Sequence, residues 1–199
     1  MPKAFNETDK EIIREALLDA GEFLFIKFGI GKTTIEDLTK YVGIGKSTFY
    51  AFYNSKIDLY LDLYRRQREK LVSMVNRAFM YRKEPVGELI TQYLSVLQEL
   101  IKRDQILSMV YSQEVMADLY SKGAEKQLES YNIQANSELA EIVSTWEALK
   151  DSNREINYEV LAGMIRSVSF LRFHKFYIGD GIYESVSKAV ISAIADYFS

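Results

Sequence analysis

The sequence predicts an all-α protein of about nine helices, and three observations carry that reading. Proline occurs twice and glycine ten times in 199 residues, so long helices meet few breakers. Apolar residues recur at steps of three and four along most of the chain, which places them on one face of a helix. Sustained β-branched alternation, the mark of a half-buried strand, is scarce. Hydrophobic residues make up 48% of the chain and charged residues 27%, so there are enough apolar side chains to build a core.

The elements follow in order. Thr8–Phe28 carries Ile12, Ile13, Ala16, Leu17, Ala20, Phe23, Leu24 and Phe28 on one face, with Thr8 and Glu11 at capping-box spacing. Gly29 and Gly31 end it. A short second helix opens with Thr33 paired to Glu36, or with Thr34 paired to Asp37. It carries Ile35, Leu38 and Val42, and Gly43 stops it. A third helix starts near Gly45–Lys46 and holds Phe49, Tyr50 and Tyr53. Ser55 is the next N-cap, and a long helix runs from Lys56 to about Met80. Pro85 opens the helix that reaches Arg103, and Asp104 caps Gln105–Tyr120. Gly123 precedes a helix from Ala124 to about Leu149. The turn cluster Asp151-Ser152-Asn153 leads to a helix from Asn157 to about Ile178, which Gly179-Asp180-Gly181 ends, and Tyr183–Phe198 is the last.

Composition narrows the chemistry. Cysteine is absent, so a disulfide framework and a thiolate metal site are excluded. The single histidine, His174, has no second histidine or cysteine beside which to hold a metal, and no nucleophile-elbow motif accompanies it. The expectation is therefore no metal, no cofactor and no enzymatic activity. The opening MPKAFNETDKE is polar, and no run approaches the ~18–20 apolar residues of a membrane span. A cytoplasmic protein with no membrane partner is expected. Net charge is −3. Between Lys27 and Lys56, however, the five cations Lys27, Lys32, Lys40, Lys46 and Lys56 face only Glu36 and Asp37, an excess of +3. Such a local face can bind DNA on an acidic protein, because charges are screened within about 8–10 Å.

Two stretches look alike: GIGKTT at Gly29–Thr34 and GIGKST at Gly43–Thr48. A phosphate-cradling loop requires a glycine five positions before its second glycine. Ile26 and Lys40 stand there instead, and each would block the tight backbone cradle. The loop also follows a strand, whereas Phe23–Phe28 continues the helical stepping. A P-loop nucleotide-binding enzyme is thus the weaker alternative. The stronger reading makes both glycine pairs joints of a three-helix unit, with Gly43 giving the sharp turn of a helix-turn-helix. In such a unit the third helix presents its N-terminal residues to base edges, and helix N-termini hold phosphates.

Residues 8–60 resemble the DNA-binding domain of the TetR family of transcriptional regulators. The family pattern runs approximately TTxxxIAxxAGVSKGTFYxxFxSKxxLF. Residues 33–60 read TTIEDLTKYVGIGKSTFYAFYNSKIDLY, with Lys46, Thr48, Phe49, Tyr50, Ser55, Lys56 and Leu59 matching and Tyr53 at a phenylalanine position. Gly45 replaces a serine N-cap, and Ser47 replaces a glycine. The resemblance implies a DNA-binding domain at 6–66, with its helix-turn-helix at about 34–53, and a helical ligand-binding and dimerisation domain at 67–199. It implies that Gly45, Lys46, Ser47, Thr48 and Ala51 face the groove. By the same resemblance Thr34 and Lys56 are phosphate contacts, with ordinary capping and a solvated lysine as the alternatives, and Thr33 stands beside them or only caps. Tyr50 and Tyr53 lie at the DNA backbone or pack in the core, and Phe49 is core.

The rest of the chain carries no motif of that strength. Aromatic residues after Pro85 are candidates for an effector cavity: Tyr93, Tyr111, Trp146, Phe170, Phe173 and His174, with ordinary core packing as the alternative for each. The final two helices resemble the family's dimerising pair, through Met164, Val168 and Leu171 on one and Val186, Ala189, Val190, Ala193, Ile194 and Tyr197 on the other. The expected protein is a homodimeric repressor on a palindromic double-stranded operator, released by a small-molecule effector. A helical protein–protein adaptor is a further alternative.

Overall fold

A computed structural model describes residues 6–110, 112–121, 123, 125–146 and 157–198. Among them are eleven α-helices and no strand, so the all-α class holds. They are α1 (Glu7–Phe28), α2 (Ile35–Val42), α3 (Lys46–Tyr50), α4 (Lys56–Phe79), α5 (Val86–Arg103), α6 (Gln105–Met109), α7 (Gln113–Ser121), α8 (Glu125–Ser144), α9 (Tyr158–Leu171), α10 (Lys175–Ile178) and α11 (Tyr183–Phe198).

Two expected helices are divided. Gln105–Tyr120 breaks because the Ser112 hydroxyl accepts the Val115 N–H at 3.2 Å and starts a new helix there. Asn157–Ile178 tightens into a 3₁₀ turn at Arg172–His174, where no glycine or proline marks the change. The first capping box also lies earlier than Thr8. Asn6 accepts the Asp9 N–H at 2.7 Å, and Asp9 accepts the Asn6 N–H at 3.3 Å. At α2 the choice falls on Thr34 with Asp37, bonded reciprocally at 3.1 and 2.9 Å. Ser55 and Asn157 cap α4 and α9 as their side chains suggest. Gly43 ends α2 at φ 78°, ψ 30°, a left-handed conformation that costs a side-chain-bearing residue roughly 1–2 kcal/mol.

The chain folds as two compact units. One comprises residues up to Arg68 together with Gln105–Leu128; the other comprises Glu69–Asp104 and the residues from Glu129 onward. α4 gives its first half to one and its second half to the other. In the first unit Leu17, Leu18, Phe25, Leu38, Phe49, Ile57, Leu59 and Tyr60 are fully buried. Each such side chain contributes roughly 1.5–3 kcal/mol on leaving water. Arg66 reaches from α4 to three carboxylates of α1, Glu15 at 2.9 Å, Glu22 at 3.1 Å and Asp19 at 3.4 Å. The Tyr60 hydroxyl donates to the Ile106 carbonyl at 3.1 Å, which brings α6 into this unit. In the second unit Leu89, Ile90, Tyr93, Leu94, Val143, Trp146, Leu161, Ile165 and Val168 form the core. There α5 packs along α11, with Gln98 donating to Ser187 at 3.1 Å.

Candidate nucleic-acid interface

The unit formed by α1, α2 and α3 is built around Phe49. Its side chain is fully buried and meets Tyr50 edge-on at 5.7 Å and Tyr53 at 5.9 Å. Anchoring that one side chain fixes the roll of the five-residue α3, so its opposite face is bare. Lys46, Ser47, Tyr50 and Ala51 are exposed, Thr48 is half-buried, and the N-cap Gly45 is exposed without a side-chain cap. The turn that aims α3 is held by the Gly43 and Ile44 N–H groups, both donating to the Thr39 carbonyl, at 2.9 and 3.0 Å. Thr34 is exposed at the start of α2, and its hydroxyl donates to Asp37 at 2.7 Å. The Thr34 hydroxyl and backbone N–H together hold the Asp37 carboxyl below its usual pKa.

Other sequence-predicted contacts turn inward. Thr33 is buried, and its hydroxyl donates to the carbonyls of Gly29 at 2.8 Å and Leu24 at 3.3 Å. Tyr53 is buried and donates to Asp62 at 2.8 Å. Burial and the neighbouring Asp62 carboxylate push the Tyr53 phenol well above its usual pKa. Asp62 also accepts Arg14 at 2.7 and 2.8 Å and Arg65 at 2.8 Å. Burial works to raise the Asp62 pKa, but these donors outweigh it and the net shift is downward. The Lys56 ammonium donates to three backbone carbonyls, Ile30 at 2.6 Å and Gly31 and Thr33 at 3.0 Å each. A lysine has three donors, so Lys56 is saturated as a clamp on the α1–α2 loop.

Three participants escaped the sequence reading. Glu36 on α2 forms an ion pair with Lys46, the first residue of α3. Arg14 and Asp62, 48 positions apart, anchor Tyr53. A pair so distant leaves no local signal, and Glu36 stood out along the chain only as a possible cap and as one of two anions in the basic stretch.

Residues 17–63 match the family model of bacterial regulatory proteins, tetR family. This segment belongs to the TetR family. The TetR-type unit marks the chain as a DNA-binding transcriptional regulator. Solved structures share the fold over nearly the whole chain. The fatty acid degradation regulator FadR from Bacillus halodurans is 16% identical, with 98% of this chain and 96% of that one covered at a TM-score of 0.59. A transcriptional regulator from Cytophaga hutchinsonii ATCC 33406 is 19% identical, covering 92% and 95% at 0.61. FadR from Bacillus subtilis, solved in complex with stearoyl-CoA, is 14% identical, covering 92% and 96% at 0.53. At these identities the likeness is one of fold. No curated protein matches the chain.

Outside the TetR-type segment, the second unit brings only some of the expected residues together. Tyr93 and Trp146 are buried with ring centroids 6.3 Å apart, and Phe79 meets Tyr93 edge-on at 5.2 Å. Tyr93 donates to Asn76 at 3.0 Å, whereas the Trp146 Nε1 is buried with no acceptor among the described residues. Phe170 is exposed beneath the Arg166 guanidinium, 5.6 Å from the ring, and His174 is exposed. Tyr111 and the Phe173 side chain lie outside the described residues. Of the expected dimer contacts, Val168 and Ile194 are buried within the unit. Met164, Leu171, Val186 and Val190 are half-buried, and Ala189, Ala193 and Tyr197 are exposed. Among the described residues no helix is long and apolar enough to cross a membrane, and no group of three or more His, Asp or Glu is placed to hold a metal.

Proposed function

We propose that the chain is a dimeric repressor that reads a two-fold operator with α3 and is released by a small, largely apolar effector. The observation that carries DNA reading is the one-sided exposure of α3. Phe49 is fixed inside, while Lys46, Ser47, Tyr50 and Ala51 face out beside Thr34 at the start of α2. Side chains at a helix start present donors and acceptors to base edges, and a hydroxyl at a second helix start meets phosphate. Ser47 adds a hydroxyl at a position where the family pattern has glycine, so it sets part of the base preference.

Dimerisation is supported by the outer face of α11, where Ala189, Ala193 and Tyr197 are exposed, and by Val160 on α9, 49% exposed. Small residues let two helices approach closely, and a self-complementary face gives a two-fold pair. Effector binding is supported by the buried aromatic cluster of Phe79, Tyr93 and Trp146 with its unpartnered indole N–H. A buried donor without an acceptor costs roughly 1–3 kcal/mol, which a ligand oxygen there would recover. The stearoyl-CoA held by the Bacillus subtilis structure makes long acyl chains the first probes. To release DNA, the effector must bind the DNA-incompetent conformation more tightly than the other.

Random-site duplex selection at low salt, followed by fluorescence anisotropy on the recovered sequence, tests the reading. The expected result is a palindromic site whose preference changes on Ser47→Gly. Recovery of no preferred duplex would overturn it.

A further inference from the structure

Four of the cations between residues 6 and 60 are already engaged. Lys46 pairs with Glu36, and Lys56 is saturated by three carbonyls. Arg14 is held by Asp62, and Lys10 by Glu7. Between residues 6 and 60 three lysines remain, Lys27, Lys32 and Lys40, and among the described residues none of them makes an ion pair or a hydrogen bond. They collect at one place. A groove of about 490 Å³ between the end of α1 and the face of α2 is lined by Leu24, Phe28, Lys32, Asp37, Lys40 and Tyr41. Phe28 is 50% exposed and Tyr41 54% exposed. The Lys27 ammonium lies 5.1 Å from the Phe28 ring centroid and 5.3 Å from that of Phe23, which leans on Tyr41 at 5.4 Å.

We propose that this groove is a second DNA-binding face of the TetR-type unit, on which Lys32 and Lys40 hold the sugar–phosphate backbone of the operator duplex outside the bases that α3 reads. The inference rests on the DNA-binding reading above. A phosphate arriving at Lys46 must displace Glu36, and one arriving at Lys56 must displace carbonyl oxygens. A phosphate arriving at Lys32 or Lys40 displaces only water and counterions, whose release drives non-specific DNA affinity. The single carboxylate in the groove lining, Asp37, is bonded to the Thr34 hydroxyl and N–H and lies within the field of Lys40, so Lys32, Lys40 and Asp37 together leave the lining at +1. Those bonds also place the groove next to Thr34, the exposed start of α2. The ring faces of Phe28 and Tyr41 supply apolar walls for sugars between successive phosphates. With Lys27 over the Phe28 ring, the groove and its rim carry +2 in a chain of net charge −3.

The test is the salt dependence of operator affinity, measured by anisotropy between 50 and 200 mM salt. The operator is the selected sequence, extended by a helical turn at each end. Lys32→Gln with Lys40→Gln should reduce the slope of log affinity against log salt by about 1.8 per protomer, or about 3.5-fold in affinity per lost contact over that range. Base preference in a repeated selection should not change, and Lys32→Arg with Lys40→Arg should restore the slope. Both lysines are exposed, and circular dichroism confirms that the variants fold. An unchanged slope in the Gln pair, with Lys46→Gln still weakening binding, would overturn this inference and leave the proposed function standing. Loss of binding to a fluorescein-labelled peptide of alternating Asp and Phe, with DNA binding intact, would assign the groove to a protein partner and overturn it equally. Failure of the wild type to bind any duplex would sink the function first.

Discussion

Tyr53→Phe separates the two roles open to the tyrosine that closes the reading unit. The ring stays, so contact with Phe49 at 5.9 Å is retained and no cavity is created. What disappears is one 2.8 Å hydrogen bond to Asp62. A hydrogen bond to a charged group contributes about 1.5–3 kcal/mol. Asp62 keeps Arg14 and Arg65, so no acceptor is stranded and the lower end applies, about 1–2 kcal/mol. In a chain of this size that lowers Tm by roughly 2–8 °C. The alkaline limb changes too. The folded phenol is held above its usual pKa, whereas the unfolded phenol ionises near 10, so the wild type loses stability as pH rises past about 10. The variant loses less there, although Tyr64, likewise raised by burial, keeps part of the effect. Urea unfolding followed at 222 nm, at pH 7 and pH 10.5, measures both changes, and operator anisotropy measures function. The expected result is lower stability with operator affinity within about threefold. Unchanged stability with a tenfold or greater loss of affinity would refute the inward assignment and return Tyr53 to the DNA backbone.

Four further outcomes are expected. Asp62→Asn should cost stability at pH 7 and flatten the acid limb, because a carboxyl whose folded pKa is depressed stabilises fully above about 4 and loses that contribution as pH falls through the lower folded value; urea midpoints from pH 7 to pH 2 check it. Lys56→Met should free the Ile30, Gly31 and Thr33 carbonyls and loosen the loop that carries Thr34. It should weaken operator binding with no change in salt slope, whereas a slope lower by about 0.9 would show a direct phosphate contact. Gly43→Val should cost at least ~1–2 kcal/mol through its left-handed backbone alone, read as a lower urea midpoint. Ala189→Glu with Ala193→Glu should give a monomer in sedimentation velocity and lower operator affinity, while leaving the helical signal intact.

The fold was legible where short-range chemistry decides it. Three-four stepping placed the helices, and Gly43, Ser55 and Asn157 marked their ends because each acts on backbone groups within three or four residues. The misplacements have the same origin. Thr8 and Asn6 both offer a cap oxygen, and only the backbone path into α1 decides between them. The 3₁₀ turn at Arg172–His174 sits between two segments of good helical sequence, so tertiary packing rather than propensity tightens it.

The site was legible by type but not by engagement. A motif states which residues stand near DNA, and it is silent about which are occupied by the protein itself. Lys46, Lys56 and Lys40 look equivalent along the chain, one charge each within thirty residues. In three dimensions Lys46 faces Glu36, Lys56 faces three carbonyls, and Lys40 stands at a groove edge near a carboxylate already bonded elsewhere. What decides their value to a phosphate is the cost of leaving their present partners, and that is set by residues up to 26 positions away. Tyr50 and Tyr53, three residues apart, diverge for the same reason. Phe49 fixes the roll of α3, so Tyr50 faces outward while Tyr53 meets Asp62. The pattern of matched residues therefore marks the proposed interface, while the network around it selects which members of the pattern remain available to DNA.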